Sequence, residues 1–445
     1  MVHYRLSPTS ATSPPAMRDH PTLRQRRAMR MATLAQCFGA LGLCSFTCGI
    51  VLVYLTSLGY SSAGIMFLLA LPTLCEALLR LPLAYLADQW GKRRLGRLGI
   101  LCSVVGYAGL WLGGIPEAGG LRHLLVISGL VVYGVGLSAF GAGWYALLSP
   151  IVPQPVRGRF FGRLRLTWQV VAVIFAFIAT LILSKTSPFY VFLLVLLAIN
   201  LGLLTRYPFY SRLPELEKPR PAELRLLPTL RAILPVNNFA SFCCYVFLLM
   251  LFTACVPTCF GLIEKQVLNL GDRLVVVFGN LTMVGSIFGF WAGGKAVDRW
   301  GTKVVFVGCH LLYGLVIGAF MLRTAVPGLM LVWIGLLHVA FGIAYAGSSI
   351  AIATEMLALV PPLHKSLSTS LNVMLMQIGI ALSGLLSGWM LKLGVFAAEW
   401  QLGPLTMTRY DSILFCCSGM VVLLVVTLGL VPSVIRKAEW FPRSL

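Results

Sequence analysis

Long apolar runs alternate with short polar or basic stretches along almost the whole chain. Runs of roughly 20 residues are long enough to cross the hydrocarbon core of a bilayer as helices. Twelve such runs occur, which we number spans 1 to 12: 32–56, 63–87, 95–114, 123–149, 160–184, 188–207, 232–261, 274–297, 303–323, 327–355, 366–391 and 411–431. Because lipid leaves an open strand edge without hydrogen-bond partners, all twelve are predicted to be helices. The pattern therefore predicts an all-α integral membrane protein.

One long polar stretch divides the spans into two groups of six. This stretch, 208–231, includes Pro214, Pro219, Pro221 and Pro228, which work against a single regular helix. We interpret it as a cytoplasmic linker between two six-helix bundles. The predicted segments are the N-terminal tail 1–31, the first bundle 32–207, the linker 208–231, the second bundle 232–431 and the C-terminal tail 432–445. Met29 and Met31 lie beside span 1, so either could replace Met1 as the start of translation.

A polar motif follows span 2 and returns after span 8. Residues 84–94 read Ala-Tyr-Leu-Ala-Asp-Gln-Trp-Gly-Lys-Arg-Arg, and residues 294–303 read Gly-Lys-Ala-Val-Asp-Arg-Trp-Gly-Thr-Lys. Asp88 and Asp298 are 210 residues apart, and the tryptophans and glycines that follow keep this spacing. A second match has a spacing of 208 residues: Val152-Pro153 before Arg157, and Val360-Pro361 before Lys365. The chain thus reads as two parallel copies of one unit.

The composition supports a protein that faces lipid. Of the 445 residues, 58% are hydrophobic and only 11% are charged, whereas soluble domains carry roughly 25% charged residues. The net charge of +21 would favour a nucleic-acid partner in a soluble protein. Here the basic residues lie in short loops between apolar runs. We therefore predict that the protein's partner is the lipid bilayer and that it does not bind nucleic acid. All 12 cysteines fall within spans, where they serve as small apolar residues, and we predict neither a metal nor a cofactor.

The distribution of Lys and Arg predicts the orientation of the chain. With both termini inside, the inner segments hold 26 of these residues and the outer segments hold seven. Cytoplasmic loops of membrane proteins carry the excess of basic residues. We therefore predict cytoplasmic termini, in an inner or plasma membrane.

The twelve spans, their 6+6 repeat and the paired loop motif resemble those of the major facilitator superfamily (MFS). The loop pattern of that family is Gly-x-x-x-Asp-Arg-x-Gly-basic-basic. The first copy matches at Asp88, Gly91, Lys92 and Arg93 and departs from the pattern at Ala84 and Gln89. The second copy matches at Gly294, Asp298, Arg299, Gly301 and Lys303 and departs from it at Thr302. The resemblance implies two six-helix halves that rock about a central cavity.

The two aspartates are candidate gate residues. A carboxylate at a membrane boundary is costly unless it is paired or caps a helix, and helix N-termini carry partial positive charge. The resemblance implies that Asp88 faces the start of span 11 and that Asp298 faces the start of span 5. Three more residues are assigned to this gate: Arg157, Glu355 and Lys365. The alternative is that the motif sets only topology and turn geometry, which we favour for the basic residues after Asp88.

Span 2 carries an acid and a base deep in the apolar run. Glu76 and Arg80 are one helical turn apart on the same face. At 1.5 Å per residue, Glu76 lies about 18 Å from Asp88, close to the middle of the bilayer. An ionisable residue at this depth is a functional candidate by default. An ion pair that holds span 2 against a neighbouring helix explains the two residues equally well.

Polar and aromatic residues at mid-depth are candidates for contact with substrate. The resemblance implies a cavity lined by spans 1, 4, 7 and 10, with spans 2, 5, 8 and 11 beside them. Besides Tyr133, the candidates are Tyr145, Trp168, Gln169, Asn238, Tyr245, His338, Tyr345, Asn372 and Gln377. Each could instead bond a neighbouring helix, and His338 fits a buried structural histidine better than a proton carrier. Gln169 and Gln377 stand out because spans 5 and 11 are equivalent in the repeat.

These observations predict a secondary transporter for a small solute, working by alternating access as a monomer. The sequence leaves the substrate open, and also whether transport is coupled to protons or to sodium. The chain contains no GxxxxGK loop and no recognisable catalytic set, so we do not predict an enzyme. One alternative is a drug or metabolite efflux antiporter. Many drug–proton antiporters of the family that the chain resembles have a Gly- and Pro-rich span 5, and the absence of proline from span 5 here disfavours this alternative. Another is a non-transporting relative, such as a receptor or an assembly factor.

Overall fold

A computed structural model of the chain describes residues 22–115, 119–153, 156–216, 239–325, 327–359 and 365–430. Within these ranges eleven helices are long and apolar enough to cross a membrane. A bent pair of helices, which meet at 53° near Gly49, forms the twelfth span. The predicted membrane-spanning helical fold is therefore confirmed. Most of the predicted linker and both predicted terminal tails lie largely outside the described residues.

The observed helices keep the span numbers given above. In chain order they are Leu23–Thr47 with Ile50–Ser57 (span 1), Ser62–Trp90 (2), Lys92–Leu112 (3), Gly120–Leu148 (4), Arg157–Ile182 (5), Phe189–Ser211 (6), Phe239–Thr253 with Val256–Leu262 and the π-helical turn Ile263–Val267 (7), Asp272–Trp300 (8), Thr302–Phe320 (9), Met330–Leu359 (10), Lys365–Leu393 (11) and Arg409–Leu430 (12). A short 3₁₀ turn, Pro327–Leu329, precedes span 10.

Two local features differ from the hydropathy pattern. Span 1 begins at Leu23, because Thr22 and Gln25 form a capping box in the basic segment that precedes the apolar run. Between spans 11 and 12 the chain forms an antiparallel hairpin of β1 (Glu399–Leu402) and β2 (Leu405–Thr408). Hydropathy detects long apolar runs, so a helix with a polar first turn and a short hairpin both escape it.

The two ends of the bundle differ in how the halves meet. We call the end with the span 2–3 and span 8–9 loops the basic end, and the other the opposite end. Toward the opposite end, one buried apolar cluster joins both halves, with Leu52 of span 1 and Cys259 of span 7 among its members. Toward the basic end the buried core formed by the described residues separates into distinct clusters. Those around Phe160 and Phe306 each draw on one half alone.

Hydrogen bonds also join the halves at the opposite end. Ser62 at the start of span 2 and Tyr410 of span 12 both contact the side-chain oxygen of Gln266, at 2.6 and 2.7 Å. The backbone N–H of Arg273 donates to the carbonyl oxygen of Ser184 at 3.1 Å. The opposite end is therefore closed by contacts among spans 2, 5, 7, 8 and 12.

Candidate functional site

A cavity of about 760 Å³ lies between the halves. Its lining comes from spans 1, 4, 5, 8 and 10, from mid-span toward the basic end. The lining residues are Gln36, Trp144, Tyr145, Phe161, Gly162, Leu164, Arg165, Leu166, Trp168, Ile287, Phe288, Phe290, Trp291 and Ile350. Of the predicted substrate contacts, Tyr145 and Trp168 are in this set. Of these 14 described lining residues, seven are aromatic and one carries a charged side chain.

That charged side chain belongs to Arg165, one of the 26 basic residues that the charge count assigns to the inner segments. The helix of span 5 begins at Arg157, so Arg165 lies about 12 Å, or two turns, inside the helix. Its guanidinium carbon lies 5.2 Å from the ring centre of Phe290 in span 8. One signal was present in the sequence: Arg165 falls inside the predicted span and has Leu164 and Leu166 as neighbours.

The two glutamines at equivalent positions each reach across to the other half. Gln169 and Gln377 are 208 residues apart (377 − 169), the spacing of the second sequence match. The side-chain amide of Gln169 donates to the backbone oxygen of Met283 in span 8 at 3.3 Å. That of Gln377 donates to a carboxylate oxygen of Glu76 in span 2 at 2.7 Å. The repeat thus places one amide on each side of the interface between the halves.

Glu76 and Arg80 form an ion pair within span 2. The guanidinium nitrogen lies 2.9 Å from the carboxylate, and both side chains are largely buried. Arg80 packs against Gly141 of span 4, where any added side chain would collide with the guanidinium. The hydroxyl of Ser138, also in span 4, donates to the backbone oxygen of Glu76 at 3.3 Å. The pair is therefore held by span 4 on one side and by Gln377 on the other.

Several predicted contacts lie away from the cavity wall. Within the second half, the hydroxyl of Tyr245 is 2.5 Å from His310, whose other ring nitrogen is 2.8 Å from Ser348. The amide of Asn372 donates to the sulfur of Cys243 at 3.4 Å. These residues bond neighbouring helices of their own half, which is the alternative that the sequence analysis left open.

Three further residues were predicted as substrate contacts, and the structure describes two of them. Tyr133 is buried in the first half between the rings of Phe46 and Tyr107. Tyr345 of span 10 is exposed. Asn238 lies outside the described residues.

His338 is part of a buried polar group that also contains a residue missed by sequence analysis. One ring nitrogen lies 2.7 Å from the carboxylate of Glu264, and the other lies 2.7 Å from the hydroxyl of Thr282. Glu264 is 1% exposed and His338 4%. Glu264 lies three residues beyond the predicted end of span 7 (264 − 261), and the π-helical turn that extends the span places it in the interior. Such turns are frequent at functional sites.

One carboxylate oxygen of this group has no protein partner. Among the described residues, nothing donates a hydrogen bond to Oε2 of Glu264. A cavity of about 30 Å³ adjoins Glu264, Thr282 and His338, and Thr47 of span 1 also lines it. The group therefore lies where the second half meets the first.

The loop motifs adopt the same backbone form in both halves. Gly91 has a φ of 100° and Gly301 a φ of 81°, in the region that favours glycine. The backbone N–H of Lys92 donates to Glu215, near the end of span 6, at 2.6 Å. In the second copy, the hydroxyl of Thr302 donates to Glu355 at 2.6 Å. A carboxylate thus meets the start of the next helix in each half.

The side chains at the predicted partners of the two aspartates, the first residues of spans 5 and 11, lie outside the description. Among the residues that the structure describes, Asp88 and Asp298 take part in no hydrogen bond or ion pair. Asp298 is exposed and Asp88 half-buried. Of the other predicted gate residues, Glu355 is buried, whereas the side chains of Arg157 and Lys365 are outside the description.

The remaining basic residues of the motifs differ in their surroundings. The guanidinium of Arg93 donates to the backbone oxygen of Leu213 at 3.3 Å, and Lys303 is buried. Arg299 lies over the ring of Trp300, with its guanidinium carbon 6.0 Å from the ring centre. Gly294 faces open space.

Comparison with solved structures identifies this fold. The nucleoside transporter NupG has a TM-score of 0.65 and 15% identity, with 92% of this chain and 99% of NupG covered. A POT family transporter in complex with 5-aminolevulinic acid has a TM-score of 0.73 and 12% identity, covering 92% and 97%. The xylose transporter XylE from E. coli, in its inward open conformation, has a TM-score of 0.67 and 11% identity, covering 92% and 96%. No curated protein sequence matches the chain.

The sequence itself also matches a protein family. The profile of the Major Facilitator Superfamily matches residues 32–384, which include spans 1 to 10 and most of span 11. The match includes both loop motifs and the two amide positions, Gln169 and Gln377. The chain belongs to the major facilitator superfamily.

Proposed function

We propose that this protein is a secondary transporter that carries a small solute across a membrane by alternating access. One observation supports this above all: the core joins both halves at the opposite end and is divided between them at the basic end. A cavity of about 760 Å³ occupies the divided region. A bundle closed at one end and divided at the other has the form of one state of a rocking transporter.

The paired aspartates are assigned to the gate at the basic end. Among the described residues, Asp88 and Asp298 have no partners in this open arrangement. If the halves closed at the basic end, each carboxylate could meet the positive start of a helix in the other half, span 11 for Asp88 and span 5 for Asp298. These contacts would stabilise only the state that is closed at this end.

Glu264 and His338 are assigned to the coupling of transport to protons. The 2.7 Å contact between them holds one hydrogen, and Thr282 occupies the second ring nitrogen. The free carboxylate oxygen of Glu264 leaves a place for one more proton. Because Thr47 of the other half lines the adjoining cavity, opening of the opposite end would admit water to this pair. Exchange of a proton there would therefore accompany the conformational change.

The orientation follows from the basic residues. We assign the basic end to the cytoplasm of an inner or plasma membrane, since inner loops carry the excess of Lys and Arg. Cysteines introduced at Ser211 and Glu399 test this. A membrane-impermeant reagent applied to intact cells should label the Glu399 position and leave the Ser211 position unlabelled. Labelling of the cysteine at position 211 in intact cells would show that the proposed orientation is wrong.

A reversible lock at the opposite end tests alternating access. The backbone hydrogen bond between Arg273 and Ser184 brings the ends of spans 5 and 8 into contact, so these two positions are chosen for a disulfide. In the variant Ser184→Cys/Arg273→Cys, oxidation should stop uptake into proteoliposomes, and reduction should restore it. The control is Ser184→Cys alone, which should respond to neither treatment.

The same assay separates the proposal from its alternatives. Flux that continues in the oxidised double variant, with the crosslink verified by mass spectrometry, would contradict alternating access. A protein that carries none of a broad solute library in either direction would favour a receptor or an assembly factor. Solute export driven by an opposing proton gradient would favour the efflux antiporter.

A further inference from the structure

We infer that the cavity at the basic end binds an amphipathic organic anion with an aromatic body and one acidic group, which Arg165 recognises. Binding of the anion does not depend on the proposed function; only its role as the transported solute rests on that proposal. Three features of the cavity support it: its aromatic walls, its unbalanced positive charge, and its size.

Aromatic rings from both halves form the cavity walls. Trp144 and Trp168 come from spans 4 and 5, and Phe288 and Trp291 come from span 8. Aromatic side chains contribute large apolar contact areas and pair with other rings in stacked or edge-on geometries. A flat aromatic solute could therefore contact both halves at once, whereas a sugar or a small polyol would leave these rings without apolar partners.

The charge of the cavity is positive and lacks a balancing acid. No carboxylate side chain is in the cavity lining formed by the described residues, and Arg165 has no ion-pair partner among them. Arg80 in span 2 is neutralised by Glu76. A second positive charge lies near the wall, since the ammonium of Lys295 is 3.9 Å from the ring centre of Trp291.

A guanidinium in such a wall is suited to an anionic ligand. Arginine presents several N–H donors in one plane, which match the two oxygens of a carboxylate. The contact of Arg165 with the Phe290 ring holds the guanidinium within the wall. A carboxylate that enters the cavity could bind the Arg165 guanidinium without breaking an existing ion pair of the described residues.

The dimensions of the cavity agree with a ligand of this kind. Its volume of about 760 Å³ falls in the range of roughly 300–1,000 Å³ typical of sites for drug-sized molecules. Because Arg165 belongs to the first half and Trp291 to the second, a bound anion would bridge the halves. A ligand that bridges them differs in its contacts between the open and closed states, which transport requires.

The probe for this inference is 2-naphthoate, compared with its neutral analogue 2-naphthamide and with acetate. Binding is measured by isothermal titration calorimetry on the purified full-length protein in detergent. The acid should bind about tenfold or more tightly than the amide, since a hydrogen bond to a charged group contributes on the order of 1.5–3 kcal/mol. Acetate, which lacks the aromatic body, should bind far more weakly than 2-naphthoate.

Variants of span 5 assign the effect to one residue. In Arg165→Gln the affinities for 2-naphthoate and 2-naphthamide should become about equal, whereas Arg165→Lys should keep part of the preference for the acid. The matched control is Arg163→Gln, which removes the same charge two residues away from an exposed position outside the cavity. This control should bind like the wild type. Size-exclusion chromatography checks that every variant is folded.

Three results would overturn the inference: equal binding of acid and amide by the wild type, unchanged selectivity in Arg165→Gln, or equal loss in Arg163→Gln. If Arg165→Gln does not fold, the wild-type comparison and Arg165→Lys still decide. The measurement is independent of flux. Selective binding of 2-naphthoate without transport of any solute would contradict the proposed function alone, and transport without such binding would contradict this inference alone.

Discussion

The side-chain amide of Gln377 in span 11 donates a 2.7 Å hydrogen bond to the carboxylate of Glu76 in span 2. The same carboxylate accepts from Arg80 at 2.9 Å, so three side chains form one chain of polar contacts across the boundary between the halves. A contact that crosses this boundary must change if the halves move. The surroundings of the Glu76–Arg80 ion pair therefore depend on how the two halves are arranged.

Replacement of Glu76 by Gln tests whether this ion pair serves transport. The variant keeps the shape of the side chain and a hydrogen-bond acceptor for Gln377 but leaves Arg80 without its counter-charge. We expect flux in proteoliposomes to be lost while the protein stays monodisperse. If the pair were purely structural, its disruption should instead lower the free energy of unfolding by about 3–5 kcal/mol.

Ser138→Ala is the control for this experiment. It removes a 3.3 Å contact with the backbone of Glu76 and leaves the charges intact, so flux should continue. Normal flux in Glu76→Gln would end the functional assignment of the pair.

Replacement of Asp88 by Asn should shift the protein toward the state that is open at the basic end. Among the described residues, Asp88 has no partner in the open form, so we expect its charge to stabilise the closed form. A carboxylate at a helix N-terminus contributes roughly 0.3–1 kcal/mol, and up to about 2 kcal/mol when partly buried. Distances between spin labels at the basic ends of spans 4 and 10 should lengthen on average, and transport should slow.

Asp298→Asn is the matched variant for Asp88→Asn. We expect a smaller shift, because Asp298 has Arg299 beside it in the motif whereas Asp88 is followed by Gln89. If the distance distributions of wild type and Asp88→Asn coincide, the motif sets only topology and turn geometry.

The glycines of the loop motif should tolerate substitution unequally. Gly91 has a φ of 100°, and a residue with a Cβ in such a conformation costs on the order of 1–3 kcal/mol. An added Cβ would also lie 3.3 Å from the carboxylate oxygens of Glu215. Gly91→Ala should therefore lower the midpoint of thermal unfolding measurably.

Gly301→Ala and Gly294→Ala provide the comparison. Gly301 has a φ of 81° but faces open space, so alanine there should cost less than at Gly91. Gly294 is helical and also faces open space, so alanine should be neutral or slightly stabilising, by up to about 1 kcal/mol. An equal effect at all three positions would contradict this account.

Replacement of Glu264 by Gln should uncouple transport from protons. The amide can still bond His338 but cannot take up a proton. We expect uptake driven by a pH gradient to fall to its level without a gradient, while exchange of labelled for unlabelled solute continues. Glu399→Gln, in the exposed strand β1, is the control and should leave both activities unchanged. Persistent gradient-driven uptake in Glu264→Gln would exclude Glu264 as the coupling group.

Several properties of this protein were determined by the sequence alone because they depend on residues close together in the chain. A span is a continuous apolar run, so the twelve helices could be counted without tertiary information. The repeat was visible because Asp88 and Asp298, and the residues after them, keep a fixed spacing. The ion pair of Glu76 and Arg80 was predictable since residues four apart share one face of a helix.

Tertiary structure decided which residues meet across the halves, because an apolar helix gives no sign in its sequence of which face points to lipid, protein or cavity. Tyr145 and Tyr245 looked alike as candidates, yet one lines the cavity and the other bonds His310 inside its own half. Arg165 looked like a boundary cation until the helix of span 5 placed it in the cavity wall. Glu264 lay beyond the predicted end of span 7, and only the π-helical turn and the packing of span 10 bring it to His338.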